Sequence, residues 1–139
     1  MTILILGSGG REHTFAWKIV QSPLCQKLFV APGNSGTAKI AENIELNVTD
    51  FEVIKELVLE KQIDMVVVGP EDPLVQGIHD FFLNDVALKD VAVIGPQKAA
   101  AQLEGSKEFA KEFLFRHNIP TAAYQSFDAS SLESGYHFL

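Results

Sequence analysis

An α/β fold, with a parallel sheet flanked by helices, is predicted by three features of the 139-residue sequence. Short unbroken apolar runs, Ile3–Leu6 and Met65–Val68 among them, have the character of strands buried on both faces. Between these runs lie segments whose apolar residues recur at helical spacing. The runs end at glycine or Gly-Pro, so strand, loop and helix alternate, which is the pattern of βαβ units with right-handed crossovers.

The elements follow in order. Ile3–Leu6 stops at Gly7 and forms the first strand. Phe15, Ala16, Ile19 and Val20 define the apolar face of the first helix, which Pro23 stops, and Trp17 is expected in or at the edge of the core. "KLFVAPGN" is a second strand running into a turn. In "TDFEVIKELVLEKQ", Thr49 and Glu52 have capping-box spacing, and Phe51, Ile54, Leu57 and Val58 share one face. "DMVVVGP" is a buried strand, and Leu74, Val75, Ile78, Phe81 and Phe82 then form one helical stripe. "VAVIGP" is a further strand with the same Gly-Pro ending. Beyond Pro96, "KAAAQLEGSKEFAKEFLFRHNIP" reads as two helical pieces broken at Gly105, with Ser106 as N-cap and Pro120 ending the second. "TAAYQSF" is a candidate strand, and a further helix is expected from Asp128. The sheet domain is expected to end near Gly95, with the start of a second domain after it.

In a parallel sheet, ligands gather at the carboxyl ends of the strands. The loops "GSGGREH", "APGNSG" and "GPEDP" each follow a strand, so all three should crowd one edge. This convergence is the main functional inference from the pattern.

Composition narrows the classes. Hydrophobic residues make up 47% and charged residues 21%, which is ordinary globular usage. The formal charge of -7 argues against a nucleic-acid partner, which would require clustered Lys and Arg. Such a charge does not forbid a small anion held by a few local donors. A single cysteine, Cys25, cannot form an internal disulfide and reads as an inert thiol in a reducing compartment. Neither a signal peptide nor a membrane span is legible, and the expected location is cytoplasmic.

Gly7 and Gly9 match the first two glycines of the dinucleotide fingerprint G-x-G-x-x-G, but the third position is Glu12. No acid stands at the end of the second strand to bind a ribose of NAD or FAD. The turn that remains, at a helix N-terminus, reads equally as a phosphate site with Arg11 as a cationic fork or as a tight turn with Arg11 solvated. Asn34, between Gly33 and Gly36, serves either a turn or a ligand. Of the two acids after Gly69-Pro70, Glu71 reads as a contact for sugar hydroxyls and Asp72 as a helix cap. His13 reads as structural, and His79, His117 and His137 lack metal-ligand spacing. No catalytic residue and no metal ligand can be assigned. Lys107, after "EGS", would by itself be a solvated lysine.

Together, "GSGGREH", "APGNSG", "VVVGPEDPLVQG", "LEGSKEFAKEFL" and "IPTA" resemble the N-terminal part of the phosphoribosylamine–glycine ligase family, also called glycinamide ribonucleotide synthetases, of the ATP-grasp superfamily. The match runs in order from residue 3 to about residue 122. It departs at Thr14-Phe15, where smaller or aliphatic residues are usual, and at Ser35, where Ala or Pro is common.

The resemblance implies that residues 1–95 form a preATP-grasp domain, a Rossmann-like sheet without dinucleotide binding. Residues 96–139 would be linker helices and the beginning of an ATP-grasp domain. By the same resemblance, Gly9, Gly10 and Arg11 would face the phosphate-bearing part of 5-phosphoribosylamine. Glu71 would hold its ribose hydroxyls, Asn34 would line the pocket, and Lys107 would reach ATP phosphates. The implied reaction joins glycine to 5-phosphoribosylamine with ATP and Mg²⁺, giving glycinamide ribonucleotide in purine biosynthesis. The glycine carboxylate, a poor electrophile, becomes an acyl phosphate that the amine then attacks. Because the implied Mg²⁺ and glycine ligands fall beyond Leu139, the 139-residue polypeptide is expected to be an inactive piece of a longer enzyme. The competing expectation is a stand-alone phosphosugar- or nucleotide-binding module with a regulatory role, which would have no need of "LEGSKEF".

Overall fold

The computed structural model describes residues 1–128 and 131. Five parallel strands, β1 (Thr2–Gly7), β2 (Lys27–Pro32), β3 (Glu42–Asn43), β4 (Met65–Val68) and β5 (Ala92–Ile94), lie in the order β3-β2-β1-β4-β5. The predicted α/β class, a Rossmann-like sheet, is the fold observed. β1 sits at the centre, and the even spacing of its apolar residues feeds two cores. Leu4 and Leu6 pack on one face with Phe29, Val66, Ile54 and Phe82, while Ile3 and Ile5 pack on the other with Leu28, Val30, Val67 and Ala16. A strand buried on both faces must be apolar at every position, which is why β1 shows no polar alternation.

The first helix, α1 (Gly10–Ile19), covers the second of these faces. Its buried stripe is Glu12 and Ala16, with Ile19 partly buried, so the expected face is displaced. Phe15 is exposed and Trp17 is 57% exposed, which corrects the expectation that Trp17 lies in or at the edge of the core. Ala16 has the small side chain that lets helix and sheet approach, and the bulky residues beside it are turned outward. Cys25 is partly buried against the same core.

Two further expectations are corrected. The N-cap of α2 (Phe51–Lys61) is Asp50, whose Oδ1 accepts from Val53 N at 3.3 Å. The Thr49 hydroxyl donates instead to Asn47 Oδ1 at 2.9 Å, so no Thr49–Glu52 capping box forms. The single stripe from Leu74 to Phe82 is two helices, α3 (Glu71–Gln76) and α4 (Ile78–Asn84), broken at Gly77 with φ +103°. Leu74, Ile78 and Phe82 are nevertheless all buried in one core. Phe81 bridges Phe51 and Phe82, with ring centroids 5.6 and 6.2 Å away.

Lys55 on α2 is paired with Asp85, just after α4. The Lys55 hydrogen bond, helped by the Ala87 N–H, holds the Asp85 carboxyl below its ordinary value of 3.8. The same bond raises the Lys55 ammonium above 10.5. A lowered carboxyl stabilises the fold above the unfolded pKa and loses that contribution as pH falls through the folded value. A raised ammonium does the reverse on the alkaline side. Asp85→Asn should therefore reduce stability near neutrality, and its difference from the parent should vanish as pH drops below about 3.8. Chemical denaturation across acidic pH measures this, and a pH-independent difference would contradict it.

The chain divides into two compact units, Met1–Ala101 and Gln102–Leu139. α5 (Lys98–Gly105) crosses the division, and α6 (Lys107–Arg116) begins at Ser106, whose Oγ accepts from Phe109 N at 3.2 Å, as the sequence predicted. α6 ends before Pro120, at His117, with Asn118 at φ +53°. Residues 121–127 are not a strand. They are tied to α6 by Lys111 Nζ, which donates to Thr121 Oγ1 at 2.7 Å and Ala122 O at 2.9 Å. The helix expected over 128–139 falls, apart from Asp128 and Ser131, outside the described residues. Among the described residues no helix is long and apolar enough to cross a membrane.

Candidate functional site

The registers Gly7↔Pro32 and Leu6↔Val68 bring the ends of β1, β2 and β4 level at one edge. The loops that follow are tied together there. Gly33 N donates to Gly7 O, and Gly69 N to Leu6 O, both at 3.1 Å. Asn34 Nδ2 donates to Ser8 O at 2.8 Å, and Arg11 Nη1 reaches Gly69 O at 2.7 Å. The three loops thus converge as the alternation predicted. A cleft of about 390 Å³ opens between them, lined by Gly7, Ser8, Gly9 and Glu12 of the first loop, by Pro32, and by Pro70.

Gly9 lies in the cleft wall, but its N–H donates to Glu12 Oε2 at 2.6 Å and so serves the protein itself. Gly10 opens α1 with nothing within 4 Å of where a Cβ would sit, and first-turn N–H groups have no intrahelical acceptor. Arg11 is exposed and does not line the cleft, but its Nη1 is anchored on Gly69 O, next to Pro70 of the cleft wall. Asn34 stands beside the cleft with both ends of its amide engaged, because its Oδ1 accepts from Gly36 N at 2.7 Å and Thr37 N at 3.0 Å. Glu71 is exposed in the first turn of α3, next to Pro70. Asp72 does not cap that helix: the N-cap is Pro70, and no side chain bonds the first turn. His13 packs on Gly36, where a Cβ would come within 2.6 Å of its Cε1, and His79 Nδ1 lies 2.6 Å from Gly95 O. Both are structural contacts.

Two contributors were not read from the sequence. Leu46, Asn47 and Val48, between β3 and α2, line the cleft. Their only signal was proximity to β3, a two-residue strand too short for periodicity to reveal. Glu12 is 6% exposed and folds back against the glycines. Its position three residues after Gly9, in phase with Ala16 and Ile19, carried the signal of a buried cap.

In the second unit, a separate cleft of about 400 Å³ is lined by Lys107, Lys111 and Tyr124 among others. Lys111 is held by Thr121 and Ala122 and lies 5.9 Å from the Tyr124 ring centroid, while Lys107, at the start of α6, lines this cleft beside Glu108. Among the described residues, no group of three or more His, Cys, Asp or Glu is placed to hold a metal ion. Of the residues the sequence singled out as ligand contacts, Gly9 lines the edge cleft, and Glu12 is the carboxylate in its wall; Gly10, Arg11, Asn34 and Glu71 neighbour the lining residues without lining it themselves.

The family described as Phosphoribosylglycinamide synthetase, N domain, matches residues 1–104. Relatives named phosphoribosylamine–glycine ligase are 55% identical over 129 residues in Haemophilus influenzae and 52% identical over 136 residues in Mesorhizobium japonicum. These matches cover 91% and 98% of this chain but only 29% and 31% of the relatives, so the chain spans less than a third of their length. The crystal structure of phosphoribosylamine–glycine ligase from Thermotoga maritima superposes with a TM-score of 0.67 at 27% identity, over 99% of this chain and 30% of that one. That of N5-carboxyaminoimidazole ribonucleotide synthetase from the same organism shares the fold, with a TM-score of 0.68 at 21% identity over 99% of this chain and 36% of its own.

Proposed function

The chain belongs to the phosphoribosylglycinamide synthetase N-domain family, and on that premise we propose that its edge cleft holds 5-phosphoribosylamine for ligation to glycine. The observation that carries the reading is the meeting of three strand-end loops around one cleft, with Arg11 bonded to Gly69 O beside Pro70 of its wall. Arg11, with the first-turn N–H groups at Gly10, takes the phosphate. The Gly9 backbone forms the wall beside it. Glu71 accepts from ribose hydroxyls, and Asn34 acts by fixing the loops through Ser8, Gly36 and Thr37.

The chemistry joins the carboxylate of glycine to the amine of the sugar. ATP phosphorylates the carboxylate, the amine attacks the acyl carbon, and inorganic phosphate leaves as the C–N bond forms. Residues 1–95 are assigned to the amine-holding domain. Residues 96–139 are assigned to the approach to an ATP-grasp domain, where Lys107 meets the phosphates of ATP. The glycine side and any Mg²⁺ belong to the part of such ligases that this chain does not span. Soluble small-molecule substrates suit a cytoplasmic enzyme.

Calorimetry with ribose 5-phosphate tests the assignment. Saturable binding is expected, with none for NADH. Arg11→Ala should weaken ribose 5-phosphate about tenfold or more, since a hydrogen bond to a charged group is worth about 1.5–3 kcal/mol. NADH binding without ribose 5-phosphate binding would reverse the assignment.

A further inference from the structure

We infer that Glu12 selects the class of ligand the cleft accepts: its carboxylate bars a diphosphate from the glycine turn and presents an acceptor to a sugar hydroxyl or amine. The inference deepens the proposed function and rests on it for the identity of the sugar.

A glycine turn after a first strand ordinarily leaves room and N–H groups for a ligand's phosphates to approach the backbone. Here the room is already filled. A Cβ on Gly7 would come within 2.7 Å of Glu12 Cγ, and one on Gly9 within 2.9 Å of Glu12 Oε2. On Gly69, across the edge on β4's loop, a Cβ would lie 2.6 Å from Glu12 Cδ. Three glycines from two loops therefore house a side chain of the protein itself. The carboxylate takes the Gly9 N–H at 2.6 Å, a donor that a diphosphate would need, and places a like charge where its oxygens would come.

Glu12 is nonetheless not sealed off. It is 6% exposed and forms part of the cleft wall. Oε2 is bonded to Gly9, while Oε1 lies against Gly69, next to Pro70 of the cleft wall, with no hydrogen-bond partner among the described residues. A carboxylate oxygen is acceptor-only, so the group it can take from a ligand is a hydroxyl or an amine. Glu12 thus divides the site by polarity. The phosphate of a sugar phosphate is directed toward Arg11, and the hydroxyl- or amine-bearing ring toward the glycine turn.

The test compares the parent chain with Glu12→Gln and Glu12→Ala in phosphate-free buffer, with ribose 5-phosphate and inorganic pyrophosphate as probes and thermal unfolding as the check on folding. Glu12→Gln keeps the size and can keep the Gly9 bond while turning an N–H₂ donor to the cleft. Glu12→Ala empties the cradle and frees the Gly9 N–H. Pyrophosphate affinity should rise about tenfold in Glu12→Ala and by less in Glu12→Gln, which removes only the charge, and ribose 5-phosphate affinity should fall about fivefold in both, corresponding to loss of one hydrogen bond of about 1 kcal/mol. Affinities that are unchanged, or that move in the same direction for both probes, would overturn the role of Glu12. If the parent binds no ribose 5-phosphate while pyrophosphate affinity still rises in the variants, the sugar-phosphate reading fails and Glu12 stands as the barrier to diphosphate.

Discussion

Gly7→Ala is expected to remove about 4 kcal/mol of stability from the sheet unit, enough to unfold much of it at physiological temperature. Two costs combine. Gly7 sits at φ +123°, a conformation that an L-residue adopts only at about 1–3 kcal/mol of strain. The new methyl would also come within 2.7 Å of Glu12 Cγ and 2.8 Å of Cδ. Glu12 cannot yield freely, because it is buried and bonded to Gly9, and overpacking of this kind costs about 1–3 kcal/mol. Gly10→Ala, three residues along the same turn, is the control. Nothing lies within 4 Å of its Cβ position, and its φ is not in the left-handed region, so a change within about 0.5 kcal/mol is expected. Urea unfolding of the two variants gives the comparison. A loss below 1 kcal/mol for Gly7→Ala would show that the turn relaxes around the methyl and that the cradle is not rigid.

Asn34→Ala is expected to cost about 3 kcal/mol and to weaken ligand binding with it. One amide makes three bonds that join two segments: Nδ2 donates to Ser8 O at 2.8 Å, and within its own turn Oδ1 accepts from Gly36 N at 2.7 Å and Thr37 N at 3.0 Å. Each such bond contributes about 1 kcal/mol net, and buried groups left unpaired cost about as much again. Thr37 is fully buried, and its hydroxyl continues the network to Asn43 Oδ1 at 2.8 Å, so water cannot readily replace the lost partner. Asn34→Asp separates holding the loop from filling the space. It keeps acceptors for the two N–H groups but sets an anion against Ser8 O, so it should recover only part of the stability. If Asn34→Ala unfolds like the parent yet binds ribose 5-phosphate poorly, Asn34 contacts the ligand directly and does not act through the loops.

The legible parts of the molecule were those in which one local pattern has one solution. A run such as Ile3–Leu6 can only be buried on both sides, and the two cores that share β1 follow from its alternating residues. "GSKEF" placed the N-cap of α6 at Ser106 because a short hydroxyl before a helical run satisfies free N–H groups. The failures were competitions between neighbours. Asp50 displaced Thr49 as cap when the threonine hydroxyl found Asn47, and Gly77 divided a stripe whose apolar spacing alone read as one helix. Trp17 and Phe15 turned outward because the way α1 leaves the glycine turn, and not hydrophobicity, decided which of its faces meets the sheet.

The site divides in the same way. The sequence by itself determined that three glycine- and proline-bearing loops stand at strand ends and that parallel strands must gather them at one edge. This follows from chain connectivity and the handedness of βαβ units, which act locally. Only the tertiary structure decided what those loops do when they meet. Arg11 is anchored on Gly69, Asn34 holds Ser8, and Glu12 lies in a cradle made by glycines as far apart as Gly7 and Gly69. Contacts between residues some sixty positions apart depend on strand register and on the few tenths of an ångström that separate a fitting side chain from a clashing one, and no local pattern encodes either.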